Sequence, residues 1–208
     1  MNKKDKEYVK NVIDHFIEFY KFDLRPYNKA YKIWFETGLH AEIIVDFLKR
    51  VNIPANVRLI KRSTGTVEQP NRTGYIERPE PPIHFLSPKF KQFRFNIVID
   101  PEMYNSFEFF ITTLIHELAH LVLYSSWNKY KDSEVATDLF VMCFGLYTEK
   151  RYMGRSTKLK VKLEESAEGY ITHEQKDFAH RYILLKRAVT ESKGIKKIVN
   201  KIKLQLLS

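Results

Sequence analysis

Residues 106–125 read SFEFFITTLIHELAHLVLYS, and the rest of the chain is organised around them. Phe107, Phe109, Phe110, Ile111, Leu114, Ile115, Leu118, Ala119, Leu121, Val122 and Leu123 leave almost no polar face at helical spacing. Such a helix is central to a core rather than laid on its surface. Asn105, with Glu108 three residues on, reads as the capping box that starts it near Ser106. Three ionisable residues, His116, Glu117 and His120, stand in its apolar middle, where each is costly to desolvate without a partner. A metal ion is such a partner. Four residues advance a helix by a little over one turn, so His116 and His120 project from one face towards a single ion. Glu117 lies about 100° round the axis, out of place as an equal ligand but near enough to take a proton from a metal-activated water.

A hydrolytic site of this kind needs a third protein ligand and an open fourth position. Glu134 offers the ligand, in the first turn of a helix that Asp132 or Ser133 can cap and that runs to about Tyr147. The connection from Leu121 is short, so the second helix returns antiparallel and turns Glu134 towards the metal. Asp138, one turn further on the same face, is placed to accept a hydrogen bond from the free ring nitrogen of His116 and so fix its tautomer.

HELAH at 116–120 followed by EVATD at 134–138 resembles the HExxH plus ExxxD pattern of the gluzincin zinc metallopeptidases and, more loosely, the ImmA/IrrE-like regulatory proteases. The likeness spans residues 107–151, with a shorter spacer than in the larger gluzincins and no membrane spans. A weaker likeness to SprT-like proteases covers 96–123, but those use a histidine as third ligand and commonly add a zinc ribbon, both absent here. The gluzincin resemblance implies one zinc ion held by His116, His120 and Glu134, with Glu117 as catalytic base and Asp138 orienting a ligand. It implies peptide-bond hydrolysis on a protein or peptide substrate. It also implies an α+β, zincin-like fold: a small mixed sheet packed against the active-site helix, with additional N-terminal and C-terminal helices.

Upstream, Val9, Val12, Ile13, Phe16, Ile17 and Tyr20 recur at helical spacing until Asp23 to Pro26 break the pattern, and further helices are expected over about 27–35 and 40–51. Residues 56–61 are β-prone. Residues 63–82 are rich in Gly and Pro and read as a long loop, either a binding element or a plain insertion. Strands are expected at 83–86 and at 93–99, where Phe93, Phe95, Ile97 and Ile99 alternate with Arg94, Asn96 and Val98. The second of these is either the cleft edge that pairs with an extended substrate or an interior strand.

Downstream, a basic strand is expected at 158–163, then a helix with Thr172 and Gln175 as its capping box. Tyr170, His173 and His180 are candidate oxyanion stabilisers, since the histidines lie seven apart on one helical face and Tyr170 immediately precedes it. Each also has a structural reading, as a core aromatic or a surface histidine. Cys143, among Val141, Met142 and Phe144, reads as a core residue. Gly194 sets off a tail in which Ile195, Ile198, Val199 and Ile202 interleave with lysines, a basic amphipathic helix for a membrane face, nucleic acid or the protein's own core.

At 208 residues the chain is long enough for one domain, taken as 1–192 with a basic tail at 193–208. Within that domain, 1–52 is helical, 53–151 carries the sheet and the metal-site helices, and 152–192 adds a strand and a helix. Fifteen Phe and 12 Tyr supply a core. The net charge of +10 is lopsided: residues 1–149 carry 20 Lys and Arg against 19 Asp and Glu, and residues 150–208 carry 15 against 6. The basic third either meets an acidic partner or nucleic acid, or keeps the surface soluble. No apolar run of transmembrane length, no secretion signal and a lone cysteine point to a cytoplasmic protein. Beside the peptidase stand two other readings: a zinc-stabilised regulatory or binding module that hydrolyses nothing, and a protease recruited to nucleic acid by its basic end.

Overall fold

The computed structural model describes residues 1–20, 29–62, 73–145 and 171–206. In chain order these form α1 (Lys3–Tyr20), α2 (Ala30–Glu36), α3 (His40–Arg50), β1 (Asn56–Lys61), β2 (Gly74–Ile76), α4 (Pro88–Gln92), β3 (Arg94–Ile99), a 3-10 turn (Pro101–Asn105), α5 (Phe107–Ser125), α6 (Glu134–Cys143) and α7 (His173–Leu206). Among the described residues the class is α+β, with seven α-helices and one three-stranded mixed sheet.

The strand order is β1-β3-β2, with β1 parallel and β2 antiparallel to β3. β3 is therefore the interior strand, and the reading of 93–99 as the cleft edge is corrected. Ile97, Val98 and Ile99 are consecutive buried residues, as in a strand covered on both faces. Among the described residues β1 and β2 are the two edges, and β2, the one that packs on α5, lies inside the stretch read as loop. Three residues are too few to announce a strand, and β2 exists because β3 supplies the partner, with Gly74 opposite Ile99 and Ile76 opposite Ile97. The strand expected at 83–86 is absent. There Phe85 N–H donates to Ser125 O and Ser87 N–H to His84 O, a turn held between Pro82 and Pro88.

α5 is the centre. Sixteen of its residues are buried, against α6, α2, β2, β3 and the 3-10 turn. Among the described residues it alone is long and apolar enough to cross a membrane, and 83% of that window is buried inside the protein's own core. Its N-cap is Ser106, which accepts from Phe109 N–H, while Asn105 belongs to the 3-10 turn that Pro101 starts. Its C-terminus closes by a Schellman pattern, Asn128 N–H to Leu123 O and Trp127 N–H to Tyr124 O, with Trp127 at φ 51 where glycine is usual. Asn128 secures that turn from the side, donating through Nδ2 to His15 Nε2 and to the Tyr20 hydroxyl at 3.1 Å each.

α6 is capped by Ser133, which accepts from Ala136 N–H. It ends at Cys143, short of Tyr147, because Gly145 takes a φ of 96 and accommodates the left-handed turn. α1 buries Val9, Val12, Ile13 and Phe16 completely, and α7 packs on both α1 and α6. α7 runs unbroken through Gly194, so the segment from 193 continues that helix rather than forming a separate tail. One glycine costs a helix only about 1 kcal/mol, too little to break a run otherwise rich in helix formers. The strand expected at 158–163 lies outside the described residues, as do the side chains beyond 189.

Candidate metal centre

The partners His116 with Asp138 and His120 with Glu134 fix α5 and α6 antiparallel, since one number climbs as the other falls. Between these helices His116 Nε2 and His120 Nε2 lie 3.1 Å apart. Glu134 Oε2 completes a triangle, 3.1 Å from His120 Nε2 and 3.3 Å from His116 Nε2. Both histidines are buried and the Glu134 side chain is 38% exposed, so the triangle opens to solvent on the carboxylate side. These three residues could hold a metal ion.

Each imidazole is braced from behind. His116 Nδ1 donates to Asp138 Oδ1 at 3.0 Å, as the spacing requires. Among the described residues, Oδ2 of Asp138 is buried without a hydrogen bond, so Oδ1 carries the contact with the ring. His120 Nδ1 faces the Thr137 hydroxyl at 3.4 Å, and that hydroxyl donates to Ser133 O. Thr137 thus does for His120 what Asp138 does for His116, turning Nε2 towards the shared point. Sequence reasoning missed it. Its only signal is its place three residues after Glu134, on the inward face of α6.

Burial opposes charge on His116, but hydrogen bonds to Asp138 and Glu134 outweigh that penalty and raise its pKa to about 9. Hydrogen bonds from His116 and His120 hold the Glu134 carboxyl far below the usual carboxylate range, against the effect of burial. A metal entering at neutral pH must therefore displace a proton from His116. Affinity is expected to rise about tenfold per pH unit towards pH 9. Calorimetry at pH 7 in two buffers of different ionisation enthalpy should show about one proton released per ion bound. Binding without proton release would contradict the pairing of His116.

Glu117 is buried, and among the described residues its carboxylate has no hydrogen-bond partner. A Cβ built on Gly74 would lie 2.8 Å from Thr113 Cγ2 and 3.6 Å from Glu117 Cγ. Only glycine lets β2 press onto the stripe of α5 that carries Glu117, a role the sequence shows only as one more turn former. Of the oxyanion candidates, His173 is exposed and sits 3.6 Å from Asp177 on its own helix. His180 is half-buried on α7, and Tyr170 lies outside the described residues. Cys143 is fully buried, and its burial pushes the thiol up in pKa, away from nucleophilic chemistry. No family model, curated protein or solved structure matches this chain.

Proposed function

We propose that the protein is a zinc-dependent metallopeptidase in which Glu117 is the general base. The observation that carries this reading is the triangle of two imidazole nitrogens and one carboxylate oxygen, with sides of 3.1, 3.1 and 3.3 Å. Tetrahedral zinc with bonds of about 2.0–2.1 Å holds its ligands about 3.3 Å apart, so the donors fit the ion both in kind and in spacing. Three protein ligands with a solvent-facing fourth side are the pattern of a catalytic rather than a structural site. When bound, zinc supplies a Lewis acid that polarises a peptide carbonyl and lowers the pKa of a water molecule.

The chain's own groups do the rest. Asp138 and Thr137 hold the two rings with Nε2 inward. The Glu117 carboxylate takes one proton from the attacking water as its oxygen bonds to the carbonyl carbon, then delivers that proton to the leaving nitrogen as the C–N bond breaks. A peptide substrate is favoured over a small ester or amide by β2. Among the described residues β2 pairs on one side only, which leaves main-chain donors and acceptors for an extended chain next to Glu117.

The test is to incubate the zinc-loaded protein with a mixture of unstructured peptides and read new termini by mass spectrometry. Cleavage is expected with zinc, is expected to stop on chelation with 1,10-phenanthroline, and should return on adding zinc back. Cleavage that persists in the fully chelated protein would rule out the assignment.

A further inference from the structure

Past β2 the chain keeps its alternation. Gly74 and Ile76 are buried on the α5 side, and Arg78, two residues on, turns the same way. Its guanidinium carbon lies 5.2 Å from the ring centre of Tyr124. The Tyr124 hydroxyl donates to Pro79 O at 3.1 Å and so pins the segment to the helix. Thr113, Glu117, His120 and Tyr124 follow at steps of four, three and four, a single stripe of α5. Arg78 therefore stands over the continuation of the row that carries the base and one ligand. It is exposed, and among the described residues no carboxylate pairs with it. The neighbouring Glu77 is engaged by Asn96 Nδ2 at 2.6 Å.

We infer that Arg78 is a specificity-determining residue that binds a substrate carboxylate about two residues from the bond that is cut. The inference rests on the metallopeptidase reading and names its substrate class: acidic peptides. Tyr124 lies four residues beyond His120, a rise of about 6 Å along the helix. An extended peptide covers that distance in about two residues. A guanidinium resting on an aromatic face keeps its edge N–H groups free for a bidentate carboxylate, and the ring fixes the side chain before binding. The carboxylate comes either from an internal Asp or Glu side chain or from the end of the peptide, and the experiment separates the two.

Zinc-loaded Glu117→Gln protein, expected to bind peptide without cutting it, is titrated with three fluorescent octapeptide libraries of otherwise equal composition. One has a fixed internal Glu and an amidated end, one an internal Gln and an amidated end, and one an internal Gln and a free carboxyl end. One of the two carboxylate libraries is expected to bind about tenfold tighter than the neutral one, as one charge-assisted bidentate pair would provide. Whichever gains identifies the source. The preference should vanish when Arg78→Gln is added and should fall with Arg78→Lys, which keeps the charge but loses the planar fork. Equal binding of all three libraries, or a preference that survives Arg78→Gln, overturns the inference. Zinc content of the same samples keeps the two ideas apart: zinc without preference sinks the Arg78 assignment alone, and an Arg78-dependent preference in protein that takes up no zinc sinks the metal reading alone.

Discussion

Glu117→Gln is expected to keep the metal and lose turnover, with kcat falling about a hundred- to ten-thousand-fold, the range for removing a general base. Glutamine has nearly the same shape, so the close approach of Gly74 to the Glu117 stem is preserved. The three donors of the triangle belong to other residues, so the metal should stay. What disappears is a buried carboxylate that makes no hydrogen bond among the described residues. Substrate affinity should change little, because the lost interaction operates on the reacting water. Steady-state kinetics beside metal analysis of the same preparation measures both. Full activity with metal retained would assign the base to another group.

Phe140→Ala is expected to be the most destabilising single change near the site, by about 3–5 kcal/mol. Phe140 is fully buried, with ring centres of Phe16, Tyr20 and Phe47 at 5.2, 5.3 and 6.4 Å. It is the wedge by which α1 and α3 grip α6. That helix is only ten residues long, too short to hold itself together, so the positions of Glu134 and Asp138 depend on this packing. Thermal unfolding should show Tm lower by roughly 10 °C or more. Because a ligand of the folded state adds stability by mass action, saturating zinc should recover part of the loss. A Tm within about 2 °C of the parent protein would mean that α6 is held in place by something other than this ring.

Much of the site was readable because its chemistry conflicts with its surroundings. His116, Glu117 and His120 stand in a helix with no polar face, a conflict that suggests a metal-binding reading from the sequence alone, and the structure brings His116 and His120 together with Glu134 in a group that could hold an ion. Glu134 and Asp138 followed from helical spacing and a short connection, both local properties. The parts that were not readable depend on partners. β2 is a strand because of β3, and Gly74 is required by the Thr113 and Glu117 side chains, which are far away in sequence. Thr137 is an ordinary helix residue until His120 is brought against it. The interior place of β3 had a local hint in the unbroken apolar run Ile97, Val98, Ile99, which alternation reasoning passed over. Ser106 and Asn105 are both good caps. The choice between them was made by Pro101, which draws Asn105 into the preceding 3-10 turn.

The central claim is that two imidazoles and one carboxylate, drawn from neighbouring helices, grip a single ion. Structural zinc is held by about 10–16 kcal/mol through four ligands, so losing one should cost roughly 3 kcal/mol, about a hundredfold in affinity. The direct measurement is zinc per chain, by mass spectrometry of the metal, for the parent protein and Glu134→Ala after equal zinc loading and exhaustive dialysis. The parent should retain about one ion per chain and the variant almost none, with both still folded. A parent protein that dialyses free of zinc, or a variant that retains as much, would contradict the account.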